Sequence, residues 1–152
     1  MNKAHFTFLI LLLASQSLLS QTGHDIRIMI KDYDEDELYL GYHYGEKQFI
    51  RDTSYITDDG YFEFKGADTL IGGIYLIILP PEFTFFEFLI TKNEQNFSIT
   101  THIDDLQGGM IFQGETFENQ LFHQYVSFIS IRQNQINSLL RDQNNSTKAI
   151  LD

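Results

Sequence analysis

The chain has 152 residues, a length suited to one domain with a sizeable core, and a formal net charge of -11. That acidity excludes the electrostatic footprint of a nucleic-acid binder or of a protein held on anionic lipid, because both need clustered cations to neutralise phosphate. With no cysteine there is no disulfide and no thiol chemistry in this chain, and Phe (14) and Tyr (8), without Trp, are left to build the core.

The first residues read as a secretory signal peptide, residues 1–21: Lys3 is the basic start, Phe6 to Ala14 the apolar stretch, and Ser15, Ser17, Ser20 and Gln21 the small polar end. The apolar stretch is too short to span a bilayer, which takes about 20 apolar residues. No Cys stands near the expected cleavage point, between Ser17 and Gln21, to take a lipid. The product is therefore expected in the periplasm or outside the cell, with no stable membrane insertion after cleavage.

Residues 22–114 carry the pattern of an all-β domain. Ile26, Ile28 and Ile30 alternate with Arg27, Met29 and Lys31, the period of a half-buried strand. An acidic turn, Asp32 to Glu37, leads into a second alternation through Leu38, Leu40, Tyr42 and Tyr44, and the two strands are expected to pair as a hairpin. Gln48 to Thr57 is a third strand, and Asp58-Asp59-Gly60 turns the chain into Tyr61 to Lys65, with Phe62 and Phe64 inward.

Ile74 to Leu79 is a continuous apolar run, read as a strand buried on both faces or nearly so, and Pro80-Pro81 must end it. Phe83 to Ile90, Phe97 to His102 and Met110 to Gln113 complete the series, with a turn at Asp104 to Gly109. About eight strands at roughly ten-residue spacing describe a sandwich or a barrel. After Gly114 the period becomes helical. Thr116 is the expected N-cap, and apolar residues from Phe117 through Leu121, Tyr125, Ile129 and Ile136 to Leu140 recur at helix spacing over residues 115–142. A helix of 26 residues is about 39 Å long, more than a small sandwich is wide. Ile136, Leu139 and Leu140 are therefore the expected interaction surface. Residues 143–152 read as a linker in which an apolar pattern restarts at Ala149-Ile150-Leu151, as at the edge of a domain from a longer protein.

Candidate chemistry is sparse. Asp32, Asp34 and Asp36 have the first ligand spacings of an EF-hand loop, but Glu37 stands where the loop needs glycine and His43 where it needs a bidentate Glu. A looser Ca²⁺ site and a solvated acidic loop are the two readings, the second favoured. His24, His43, His102 and His123 contain no pair at zinc-ligand spacing, although His43 and His102 lie on strands that could meet. There is no G-x-S-x-G elbow, and Asp58-Asp59 and Asp104-Asp105 fall in turns where carboxylates serve backbone geometry. Gly72-Gly73 and Gly108-Gly109 do not open helices as phosphate loops do. Tyr39, Tyr42, Tyr44, Tyr55, Tyr61 and Tyr75 either line a sugar- or peptide-binding face or serve core and cross-strand packing, the second favoured.

Several of these runs together are familiar: Gly41 to Lys47, Asp52-Thr53, Asp59 to Gly66, Leu70 to Tyr75, Leu79-Pro80-Pro81, Phe86 to Ile90, and Phe112 to Asn119 leading into the helix. In these the chain resembles the N-terminal domain of unknown function of envelope thiol–disulfide oxidoreductases of Bacteroidota-type bacteria, over nearly all of the sequence after the signal. The resemblance implies a C-terminal thioredoxin-like, peroxiredoxin-related module in the parent protein and assigns no catalytic residue to this part. Redox chemistry there rests on a C-x-x-C pair, which this chain lacks.

The expected fold is a mainly β, antiparallel β-sandwich or flattened barrel followed by one long C-terminal α-helix. The expected function is non-catalytic, without cofactor or metal: an accessory domain that positions a redox module, presents substrate proteins to it or mediates dimerisation. Its partner is then the C-terminal thioredoxin-like module or a second protomer, met through Ile136, Leu139 and Leu140. The alternative is a free-standing secreted β-domain that binds a peptide or glycan.

Overall fold

The computed structural model describes residues 23–151, with side chains described as far as Arg141. The expected signal peptide and Asp152 lie outside the described residues. Among the described residues, eight strands form two four-stranded sheets. They are β1 (His24–Lys31), β2 (Glu37–Tyr44), β3 (Lys47–Tyr55), β4 (Phe62–Gly66), β5 (Gly73–Leu79), β6 (Thr84–Ile90), β7 (Asn96–His102) and β8 (Ile111–Gly114). One helix, α1 (Phe117–Leu151), follows. The sheet orders are β4-β1-β7-β8 and β3-β2-β5-β6, and neither sheet closes on itself, so the architecture is a sandwich and not a barrel.

Pairing is antiparallel except at one place: β1 and β7 run parallel, from Asp25 opposite Asn96 to Lys31 opposite His102. The expected hairpin of β1 with β2 does not form. β1 pairs with β4 and β7 in one sheet, while β2 pairs with β3 and β5 in the other. The acidic loop between them is a crossover that lets Ile26, Ile28 and Ile30 face Leu38 and Leu40 across the core, where both apolar faces are dry. Tyr33 anchors this crossover by donating its hydroxyl to the Pro80 carbonyl (2.9 Å). Asp58-Asp59-Gly60 is a turn, closed by the Gly60 N–H on the Thr57 carbonyl and the Thr57 N–H on the Tyr61 carbonyl; beyond the Ile56–Phe62 bridge β4 leaves for the other sheet and pairs with β1, tied back to β3 by the Glu63 N–H on the Ser54 hydroxyl.

The alternating residues of both inner faces make one core. Phe62, Phe64, Phe86 and Phe88 are its largest fully buried side chains. Burying such a side chain contributes about 1.5–3 kcal/mol. Tyr42, Tyr75, Phe88 and Phe97 form an aromatic chain between the two sheets, with successive centroids 6.2, 6.2 and 5.9 Å apart. The β5 run is buried on its inner face at Tyr75, Ile77 and Leu79 and on its outer face at Leu76, while Ile74 is 37% exposed.

The helical backbone runs on through Leu151, beyond Asp142, where a linker was expected. Neither Pro nor Gly occurs between Phe117 and Leu151, so no residue there breaks the hydrogen-bond ladder. At about 52 Å the helix is longer than expected.

Candidate interaction surface

The helix is seated on the edge of β6 by Asn119 of its own first turn and by Glu94 from the loop after β6. Asn119, fully buried, accepts the Leu89 N–H on Oδ1 (2.8 Å) and donates Nδ2 to the Leu89 carbonyl (2.8 Å), completing the ladder positions that a neighbouring strand would have used. Its Nδ2 also donates to Glu94 Oε2 (2.7 Å). The buried Glu94 carboxylate in turn accepts the backbone N–H of Glu118 and of Asn119. Thr116 does occupy the N-cap position, with its carbonyl accepting the Gln120 N–H (2.9 Å), but its hydroxyl is engaged with the Gln120 side chain. The first amides of the helix go instead to a carboxylate from another loop, which the positive helix end also favours.

Gln107 repeats the device one register along β6, accepting the Glu87 N–H (3.0 Å) and donating to the Glu87 carbonyl (3.3 Å). Gln95 clasps Leu70 in the same way (2.9 and 3.1 Å). None of these amides was singled out in the sequence, where an Asn or Gln in a helix or turn reads as a solvated residue.

Only the first turns of α1 lie against the sandwich, through Asn119, Phe122, His123 and Val126; from Phe128 to Arg141 every residue is exposed. Ile136, Leu139 and Leu140 are 50%, 68% and 53% exposed. Leu121, Tyr125, Phe128 and Ile129 extend the same apolar stripe back towards the sandwich, and they too are open to solvent. The unpartnered stripe therefore runs along the helix and is not confined to its second half. The side of the helix that meets β6 is set by Asn119, leaving Leu121, Tyr125 and Leu139 on the side turned away.

The remaining candidates are dispersed. His43, on the outer face of the β3-β2-β5-β6 sheet, pairs with Glu87 (3.0 Å), whereas His102, in the other sheet, pairs with Asp32 (2.6 Å), so the two do not converge. His123 bonds the Gln107 carbonyl (2.8 Å) and packs edge-on to Phe112. His24 is buried against the Asp68 carbonyl. Asp59 is bound by the Thr57 hydroxyl and by Arg27, which hold its carboxyl below the usual range. Asp105 accepts the Gly108 N–H within its turn. Among the described residues no group of three or more His, Cys, Asp or Glu could hold a metal ion, and no helix is long and apolar enough to cross a membrane.

Of the tyrosines, Tyr75 is core, Tyr42 stacks on Phe49 and packs at a tilt against Tyr75, and Tyr39 stacks on Phe83. Tyr44 (76% exposed) and Tyr55 (64%) are open. Further apolar exposure lies on the outer face of the same sheet, at Ile50, Ile74, Phe83 and Phe85. No family model matches the chain, and no curated protein or solved structure matches it significantly.

Proposed function

We propose that this chain is a non-catalytic interaction domain, the accessory domain of an envelope thiol–disulfide oxidoreductase, acting in the periplasm or outside the cell. The sandwich is the rigid base. α1 is the arm that holds the thioredoxin-like module or a second protomer. The observation that carries this reading is the solvent-exposed apolar stripe of α1 from Leu121 to Leu140, on a helix whose root is locked by Asn119 and Glu94. A stripe of that length, exposed in water, is the mark of a surface that another protein covers. The sequence resemblance supplies the redox partner in this reading.

The test is sedimentation of the purified protein and of an Ile136→Asp/Leu139→Asp/Leu140→Asp variant, each alone and with a purified thioredoxin-like module of an envelope thiol–disulfide oxidoreductase. Association that the variant loses supports the proposal. A monomer that ignores the module, with the variant unchanged, sinks it. A second reading, a free-standing secreted β-domain that binds a peptide or glycan, is favoured by the exposed Tyr44, Ile50, Phe83 and Phe85 of the β3-β2-β5-β6 sheet.

A further inference from the structure

A cavity of about 310 Å³ lies at the end of the β3-β2-β5-β6 sheet where β2 ends and β5 begins. That is the small end of the range of about 300–1,000 Å³ in which proteins hold small molecules. Tyr42, Tyr44 and Ile71 give it aromatic and apolar walls, and Arg51 and Tyr75 give it polar groups. No Asp or Glu lines it. No residue of α1 lines it either, so what it holds is independent of the role of the helix.

Tyr75 is 4% exposed, yet among the described residues nothing bonds its hydroxyl, whereas the Tyr33 and Tyr39 hydroxyls both have protein partners. Its oxygen is not one of the polar atoms sealed in the interior, and the open part of the residue lies on the cavity. A donor placed so deeply is unfavourable unless something supplies its acceptor. Burial raises the hydroxyl above the ordinary tyrosine value, against the opposing Arg51 charge, so at neutral pH it is a protonated donor. Arg51 supplies the second set of donors. Its guanidinium gives one N–H, on Nη2, to Asp68 (2.8 Å), and its other N–H groups have no bond among the described residues. The Asp68 side chain is 67% exposed, and so open an ion pair holds its partner weakly. The planar fork can therefore take a second carboxylate beside Asp68 or in its place.

We infer that this cavity is a binding site for a small organic acid, one that carries its carboxylate on a six-membered ring. The carboxylate accepts from the Tyr75 hydroxyl and from the Arg51 fork, and the ring lies along Tyr42 and Tyr44. Aromatic walls take either a flat aromatic ring or the apolar face of a sugar ring, so the chemistry common to both is the ring-borne carboxylate. The uncharged amide of the same acid has the same shape but gives the guanidinium no anion to bind, and it is discriminated against by that difference.

The probes are phenylacetate and glucuronate, each titrated into the purified protein at about 150 mM salt and followed by backbone amide shifts, beside phenylacetamide and glucuronamide, which lack the charge. At least one acid should bind, with the shifts gathered on Tyr42 to Tyr44 and Gly72 to Tyr75, and its amide should bind at least tenfold more weakly. Which acid binds distinguishes an aromatic from a sugar ring. Tyr75→Phe removes one oxygen that has no protein partner, so it should leave the urea midpoint unchanged or higher while weakening binding at least tenfold. Arg51→Gln should weaken binding to the same degree, and Arg27→Gln, on the other sheet, should leave it unchanged. Full affinity in Tyr75→Phe, or a midpoint that falls in that variant, would overturn the inference. So would equal binding of acid and amide, shifts elsewhere on the molecule, a preference for phenyl phosphate over phenylacetate, or no binding of either acid at about 10 mM.

Discussion

Replacing Asn119 by Ala tests the junction on which the helix stands. The residue is fully buried, and its amide makes three bonds: two to the Leu89 backbone and one to the Glu94 carboxylate. Each neutral bond contributes about 1 kcal/mol and the charged one about 2. Truncation also leaves Glu94, 4% exposed, with one donor fewer. Leu89 is only partly buried, so water recovers some of the two strand bonds. The expected loss is about 3 kcal/mol. With a urea slope of about 2 kcal/mol/M, the unfolding midpoint should fall by about 1.5 M. Asn119→Asp keeps an acceptor for the Leu89 N–H but sets a second carboxyl against Glu94, and it should be no better tolerated at neutral pH. Amide exchange at Leu89 should accelerate in the Ala variant, which removes the acceptor. A midpoint shift below about 0.5 M for the Ala variant, with Leu89 exchange unchanged, would refute the view that this amide locks the helix to the sheet.

Other expectations follow from the same geometry. Phe88→Ala empties the middle of the aromatic chain between Tyr75 and Phe97 and should cost about 3–5 kcal/mol by chemical denaturation, against less than about 1.5 for Phe88→Leu if the core repacks. Gly114 sits at φ +104, where a Cβ would lie 3.1 Å from the Asn96 carbonyl oxygen. Gly114→Ala should therefore destabilise by about 1–3 kcal/mol, read in the same assay. Burial, reinforced by Glu35, Glu37 and Glu82, pushes the Tyr33 hydroxyl up to about 12. A tyrosine whose pKa is higher folded than unfolded adds stability below pH 10 that is lost as pH rises towards 12. The wild-type protein should lose stability over that window more steeply than Tyr33→Phe, and tyrosinate absorbance should show one fewer late-titrating phenol in the variant. At the acid end, Lys65 holds the Glu63 carboxyl low, and the Thr57 hydroxyl and Arg27 do the same for Asp59. Their contribution is present above the unfolded carboxylate range and disappears as pH falls through their lowered values. Because Asp59 is exposed and Arg27 and Glu63 are only partly buried, Arg27→Ala should change stability little, and any effect should shrink in high salt.

Much of this molecule is determined by sequence alone. Period-two alternation at Ile26–Ile28–Ile30, Leu38–Leu40 and Phe62–Phe64 selects the strands and the faces they bury, because a one-residue slip would turn each apolar set to water. The change of period after Gly114 marks the helix, and its length against the size of a sandwich marks Ile136, Leu139 and Leu140 as residues without a local partner; they are exposed in the structure. Tertiary structure alone decided which strands pair. Alternation says which side of a strand is apolar but not which strand lies beside it, so β1 and β2, adjacent in the chain, face each other across the core, while β1 and β7, far apart, run side by side in parallel. The polar seat of the helix was equally hidden. Asn119, Gln107 and Glu94 act only because the fold brings an amide or carboxylate to backbone groups 20 to 30 residues away, and a sequence carries no local period for such a meeting. The cavity at Tyr75 has the same origin: Tyr42, Arg51 and Tyr75 stand on three different strands, and the space they enclose is a property of the assembled sheet and not of any one strand.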